Sequence, residues 1–533
     1  MAEATVAKYE KENIFKKFGR GFVNFFTKSI PNFFTKTLPD FFVKLGKGIA
    51  NFFVNFGKRF ADGSIGTKLS HFIMGAGNIY RGQWIKGIMF LALQVLFILF
   101  MVLCPSVTGP NGIQVPMGWK ALVNLRLPTG DALEPQFDFS GSKFVLIPGA
   151  SSFLMLLLGL VTIAVIILFI IVYLANIKSA YAADTAIKEG RKPSTFVEDL
   201  KALLDNRFHI LMLTPTCLAA LVFTLLPTIL MICLAFTTYN VNAMATTTEE
   251  HARTTLFTWN GFENFASIFQ ASTTSSLGRE IAGRFLPVLG WTFIWAILAT
   301  FTCYFGGIIL AVLINKKGLK GKKVFRTIFI LTIAIPQFIS LLVMRNLLSG
   351  TGPINSLLIN MHLIEKPIGF LGQTTDDSAI LAKFMVVIIN MWLGIPYTML
   401  MTSGILMNIP ADLYEAAKVD GTSNVKMFFK ITLPYVIFIT TPYLISSFVG
   451  NINSFNTIFL LTGGGPTVAA GQAGNYVAGE TDLLVTWLYK LTIDNGDYNT
   501  GAVIGIFTFL ITSTITLITY RRSKAYNEED TFQ

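Results

Sequence analysis

Charge is what this 533-residue chain has least of: Asp, Glu, Lys and Arg make up 14% of it, against 53% hydrophobic residues. With a mean hydropathy of +0.59, the surplus apolar surface has to meet lipid, which excludes one or two soluble domains. Cysteine is also scarce. Of the four, Cys217, Cys233 and Cys303 fall inside apolar runs and Cys104 ends one; without metal-like spacing they imply neither a disulfide framework nor a metal site. The four histidines, His71, His209, His251 and His362, are scattered and form no H-E-x-x-H pair. No G-x-x-x-x-G-K-[ST] loop exists to cradle phosphates, so ATP hydrolysis within the chain is excluded. The run Gly463-Gly-Gly-Pro466 lacks the lysine and reads as a turn. The N-terminus lacks a short apolar stretch with a small-residue cleavage site, so the first spanning helix is expected to direct insertion.

What is present is a series of apolar runs long enough to cross a bilayer, at roughly 85–104, 150–175, 209–237, 286–314, 325–349, 380–407, 435–461 and 501–520. They predict an all-α polytopic membrane protein with about eight transmembrane helices. Placing both termini in the cytoplasm puts about 30 Lys and Arg on the inner segments and about 8 on the outer ones, a bias of the expected sign. The formal charge of +12 is thus explained by topology, not by nucleic acid. The chain divides into an N-terminal arm (1–84), three helices (85–237), a short extracytoplasmic loop (238–285), a five-helix core (286–520) and a cytoplasmic tail (521–533). The arm repeats a Phe pair beside basic or amide residues, at Asn24, Asn32, Asp40 and Asn51. Such a surface inserts rings between anionic headgroups, and Pro31 and Pro39 are expected to break it into pieces. Docking to a protein is the alternative.

One polar island, Ile409 to Pro434, lies between two long apolar runs. Asp412 followed by Glu415 resembles a capping box opening a helix. Asp420-Gly421 is a turn dipeptide, after which Thr422 or Ser423 can cap a second helix. On its own the island is an interfacial helix pair.

Two further stretches put polar residues where lipid contact is costly. Asn390, Gly394 and Tyr397 fall at steps of four and three, hence on one helix face, as do Ser447, Asn451 and Ser454. Such faces must meet protein or water. They serve either as contacts between helices or as a pathway for a neutral, hydroxyl-rich ligand, because Trp392, Tyr397, Phe448 and Phe455 lie nearby and rings stack on sugar faces while amides satisfy hydroxyls.

Glu415-Ala416-Ala417, Gly421 and Ile431-x-Leu433-Pro434 closely resemble the EAA loop of permease subunits in binding-protein-dependent ABC importers. Asn390-x-Trp-Leu-Gly-x-Pro-Tyr397, Leu461-Thr-Gly-Gly-Gly-Pro466 and Ala478-Gly-Glu-Thr-Asp-Leu-Leu-Val485 followed by Tyr489 look like the maltose/maltodextrin type of that family. The resemblance covers roughly residues 286–520. It implies a type I importer permease fold in which Glu415, Ala416, Ala417, Asp420, Gly421, Ile431, Leu433 and Pro434 form a cytoplasmic coupling helix. It also implies sugar contacts at Asn390, Leu393, Gly394, Tyr397, Ser447, Asn451 and Ser454. Gly450 departs from the maltose-type pattern, which has phenylalanine there, and Ser454 stands in place of asparagine.

The resemblance further implies a second permease subunit, two cytoplasmic ATPase subunits that bind the ATP and Mg this chain does not, an extracytoplasmic sugar-binding protein, and a bacterial inner membrane location. The rival class is an ion-coupled secondary transporter. Such carriers place carboxylates within their spans, and the last five apolar runs have essentially none, although sodium sites built from backbone carbonyls stay open.

Overall fold

A computed structural model of the chain describes residues 31, 35–36, 38–103, 106–108, 114–125, 134–138, 143–147, 152–239, 258–269, 276–316, 318, 320–372, 377–467 and 477–522. The Phe pairs that follow Asn24 and Asn32, Cys104, residues 240–257 and 270–275 of the 238–285 loop, and the tail beyond residue 522 lie outside the described residues. The chain forms two compact units, the first comprising residues 1–231 and 247–259 and the second residues 232–246 and 260–533.

In the first unit, α1 (Leu38–Ala61) precedes α2 (Trp84–Leu103) and the 37-residue α3 (Ser152–Lys188). Within the arm, α1 is one 24-residue helix that starts beside Pro39. Pro39 sits in its first turn, where the missing N–H leaves no hydrogen bond unmade. Helix α3 continues past the expected end of its apolar run because its last turns pack on residues 62–84 instead of lipid.

The Arg81 guanidinium lies 3.1 Å from the Asp184 carboxylate, the side chains being 4% and 7% exposed. Arg81 also donates to the Ser64 and Thr67 hydroxyls and to the Gly77 and Ala180 carbonyls. Asn176 on α3 accepts from the Gly75 N–H and donates to the Ser70 carbonyl. Gly75 is left-handed (φ 82°), and a side chain there would strike the backbone of Gly87 at 2.0 Å. Two antiparallel hairpins, Ser106–Thr108 with Gln114–Pro116 and Glu134–Asp138 with Lys143–Ile147, add a little strand to a fold expected to be wholly helical.

The boundary between units falls within α4 (Phe208–Leu234), after Met231. The second unit then contains α5 (Ser276–Asn315), α6 (Lys322–Ala334), α7 (Gln337–Leu347), α8 (Ala379–Met407), α9 (Ala411–Val419), α10 (Asn424–Ile452), α11 (Phe455–Leu461), α12 (Leu484–Tyr489) and α13 (Tyr498–Arg522). Seven helices among the described residues are long and apolar enough to cross a membrane. The expected span at 325–349 is instead a bent pair, α6 and α7 meeting at 94°. Ile335 precedes Pro336 and is extended (φ −80°, ψ 127°), as steric clash with a following proline ring requires. Counting that pair as one span gives eight.

The run expected to span 435–461 also differs. It starts earlier, at Asn424, because a wide turn over Phe428–Thr432 joins it to the polar island, and it ends at Ile452. Helix α5 is the centre of the unit: Trp291, Trp295 and Ala299 pack with Val386, Ile389, Ile458 and Leu483 in one buried cluster.

Removing one partner of a buried ion pair strands the other without solvent. Arg81→Ala is therefore expected to destabilise the protein by about 3–5 kcal/mol, read as a lower Tm in detergent, while the double change with Asp184→Ala recovers part of that loss.

Candidate functional site

The polar island folds as a helix, a turn and a second helix. Helix α9 begins at Ala411 with Pro410 as its extended N-cap and no side-chain cap, so the expected capping box from Asp412 to Glu415 does not form. The turn is as expected: Gly421 is left-handed (φ 67°), and the Ser423 hydroxyl accepts from the Lys426 N–H to start α10. The base of the loop is fixed. Ile409 and Met427 are buried, Leu433 clusters with Tyr304, Ile308 and Val436, and the Tyr414 and Thr432 hydroxyls are 2.8 Å apart.

The tip of the loop is open. Glu415, Ala416, Lys418, Asp420 and Gly421 are exposed, Ala417 is half-buried, and apolar Val419 (89%) and Val425 (68%) are more exposed than their chemistry favours. Of the residues assigned to coupling, Leu433 is buried, Ile431 half-buried and Pro434 exposed in the first turn of the apolar part of α10. Leu433 therefore anchors the loop instead of presenting a surface.

Part of each polar face, Asn390 and Gly394 on α8 and Asn451 on α10, turns to α5. Asn390 Nδ2 lies 3.4 Å from Cys303 Sγ, and a side chain at Gly394 would meet that sulfur at 2.6 Å. Asn451 Nδ2 donates to Thr300 Oγ1 (2.9 Å) and its carbonyl accepts from the Trp295 indole (3.1 Å). Leu393 packs on the core around Trp295, and the Ser454 hydroxyl donates to Thr457. Asn390, Gly394 and Asn451 thus hold helices together in this structure, where close approach and interhelical hydrogen bonding favour small and amide residues.

Tyr397 is half exposed, with its ring 5.8 Å from that of Tyr443. Tyr443 and Ser447 are one turn apart on α10 and share a face, and Gly450 just beyond has open space around its α-carbon. Sequence reasoning missed Tyr443; its spacing of four from Ser447 was the available signal. A separate cleft of about 460 Å³ between α5, α6 and α8 is lined by Ile309, Leu313, Phe329, Trp392 and Pro396, with Thr332 as its one polar residue. It includes none of the seven assigned sugar contacts and suits an acyl chain or an apolar helix better than a sugar.

A second feature missed from sequence joins residues almost two hundred positions apart. Arg284, near the start of α5, and Lys383, near the start of α8, both reach Glu480, at 3.1 and 2.9 Å. Lys383 also lies 5.1 Å over the Trp291 ring. Two residues on, fully buried Asp482 pairs with Lys490 at 2.6 Å. Partial burial works to raise the Glu480 carboxyl, but the Lys383 ammonium and the Arg284 guanidinium, each by hydrogen bond and charge, hold it below the usual carboxylate range.

A profile of the family described as binding-protein-dependent transport system inner membrane component matches residues 303–525. The maltodextrin transport system permease protein MalC of Streptococcus pneumoniae is 31% identical over 466 residues, covering 86% of this chain and 95% of that protein. The galactooligosaccharides transport system permease protein GanP of Bacillus subtilis is 31% identical over 458 residues, covering 86% and 97%. The maltose/maltodextrin transport system permease protein MalF of Escherichia coli is 35% identical over 268 residues, 50% of this chain and 49% of that protein.

The apolar helices and the exposed loop at the foot of α8 and α10, with these relatives, define a multi-pass membrane permease. The chain belongs to the binding-protein-dependent transport family and is a permease subunit of an ABC importer. Membership in that family sets aside the ion-coupled carrier.

A carboxylate whose folded pKa is depressed contributes stability that is present above its unfolded pKa and lost as pH falls through the folded value. Hydrogen-exchange protection of residues 463–467 and 477–483, taken relative to the intrinsic exchange rate at each pH, is therefore expected to fall as pH drops below about 4.3, the ordinary glutamate value. Glu480→Gln should remove that pH dependence.

Proposed function

We propose that this chain forms one half of the membrane pathway of an ATP-driven importer of oligosaccharides, with malto-oligosaccharides as the principal cargo. The observation that carries the reading is the loop from Ala411 to Thr432: its base is buried in the chain's own core, while Glu415, Ala416, Val419 and Val425 are left exposed. A cytoplasmic ATPase subunit covers that tip, and closure of two such subunits on ATP and Mg moves it. Because Tyr414, Thr432 and Leu433 tie the loop to α10 and the core around Tyr304, the displacement reaches α8 and α10 together. An extracytoplasmic sugar-binding protein delivers the cargo, and a second permease chain completes the pore, as each chain offers one such loop. Both termini face the cytoplasm.

Sugar passes along Tyr397, Tyr443, Ser447 and Gly450, where two rings and a hydroxyl lie beside open space. Rings stack on the apolar face of a pyranose while hydroxyls exchange hydrogen bonds with it. Asn390, Leu393, Gly394, Asn451 and Ser454 shape that surface from behind. They reach cargo only when α8 and α10 move relative to α5. The relatives named for maltodextrin and for galactooligosaccharides are equally similar to this chain, so the two sugars are the pair to compare.

Purification of the tagged protein in mild detergent is expected to recover a second permease and an ATPase. Gly421→Asp should lose the ATPase with the chain still inserted, because aspartate tolerates the left-handed turn while adding a charge at the tip. Recovery of the chain alone in both forms would overturn the reading. In proteoliposomes holding the full complex, Tyr443→Ala is expected to slow maltodextrin uptake about tenfold, equivalent to about 1.4 kcal/mol, with the complex still assembled. Asn451→Ala should instead lower stability by about 1 kcal/mol, within the range for interhelical hydrogen bonds. Faster uptake of galactooligosaccharides than of maltodextrins would reassign the cargo.

A further inference from the structure

Helix α1 takes no part in the transport reading, yet it is the most strongly two-faced of the described helices. At 3.6 residues per turn, Phe42, Leu45, Phe52, Phe53, Phe56 and Phe60 fall within an arc of about 100°. Lys44, Lys47, Asn51, Asn55 and Lys58 occupy the opposite side, and Arg59 flanks the apolar arc. The helix carries four cations, Lys44, Lys47, Lys58 and Arg59, against the single carboxylate Asp40.

The last turns of the apolar face touch aromatic side chains that follow the helix. The Phe56 and Phe60 rings meet His71 edge-on at 5.3 and 5.1 Å, and Phe60 lies 6.5 Å from Phe72. Further toward the N-terminus, Phe52 and Phe53 are 44% and 65% exposed. Gly46, Gly48 and Gly57 lower the intrinsic helicity of this stretch, so the helix depends on its apolar face being covered.

The anchoring end of α1 lies where the spanning helices of its unit end. Asp62, the residue after α1, accepts through its carbonyl from Lys188, the last residue of α3. The Ser64 N–H donates to Asp184, one turn earlier on α3.

We propose that α1 is an interfacial anchor whose occupant is an anionic lipid surface. It lies flat on the leaflet bordering residues 62–84, with the phenylalanines in the acyl boundary and the lysines among acidic headgroups. Charge complementarity favours this occupant over protein. A face of aromatic rings opposite a face of lysine and asparagine, with cations at its border, matches the layered chemistry of a bilayer surface. The proposal does not rest on the cargo or on the ATPase partners.

The test uses the full chain, with its native cysteines replaced by alanine, spin-labelled at Phe53→Cys or at Asn51→Cys. It is placed in nanodiscs of phosphatidylcholine alone or mixed with phosphatidylglycerol. In the mixed discs the label at 53 is expected to collide with oxygen and be shielded from a water-soluble nickel chelate, and the label at 51 to do the reverse. In neutral discs that contrast should fall about threefold or more, as loss of several lysine–headgroup attractions requires. K44E/K47E/K58E should reproduce the fall in mixed discs with the parent's Tm. Both labels open to nickel, both shielded from both reagents as a protein partner or second copy would make them, or equal contrast in neutral and anionic discs would each overturn the proposal.

Discussion

Inside a bilayer a polar group has no water to pair with, so it must find a partner on the protein or line a space that water reaches. The second unit is arranged around that constraint, and α5 is where it is met. The Trp295 indole, fully buried, donates to the Asn451 carbonyl, and Thr300 and Cys303 receive the side chains of Asn451 and Asn390. The same contacts draw α8 and α10 onto one helix, and the loop between them inherits its position from that packing.

Because the loop is held by what lies above it, it needs no partner to keep its shape. Ile409, Met427 and Leu433 are buried beneath it, and its helix, left-handed turn and capped second helix are formed by local chemistry. The exposed valines at its tip are the remaining cost, one that a docking subunit would remove. The wide turn at Phe428–Thr432 makes the second half of the loop continuous with the spanning part of α10. The backbone therefore runs from the loop into the helix that carries Tyr443 and Ser447 without a break. At the opposite end of α8, Glu480 binds Lys383 of α8 and Arg284 of α5 at once, so that end of the helix is tethered.

The number and kind of elements were legible in the sequence because a lipid solvent demands long apolar stretches and leaves little ambiguity about them. The loop was legible too, since a glycine after an aspartate and a serine ahead of a helix act through their own backbones. The errors came where the deciding interaction was not local. Pro39 opens a helix, as a proline in a first turn can, while Pro336 bends by 94° a span expected to run through. A proline's effect depends on whether its missing N–H falls in a first turn or an interior, and the apolar pattern does not mark that position. The continuity of α10 into the loop escaped for a similar reason: Lys426 and Lys430 ended the apolar run, but the backbone carried on.

By itself the sequence determined that the chain is a multi-pass membrane protein, where the polar loop between two of its spans lies, and which helix faces carry polar residues. These follow from spacing and solvent preference, which are properties of short stretches. Only the tertiary structure decided what those polar residues do. It turned Asn390, Gly394 and Asn451 inward to α5, left Tyr397 open beside Tyr443, and joined Arg284, Lys383 and Glu480 into one network. Periodicity names the face of a helix but not the neighbour it meets, because that choice is made by packing between segments up to two hundred residues apart.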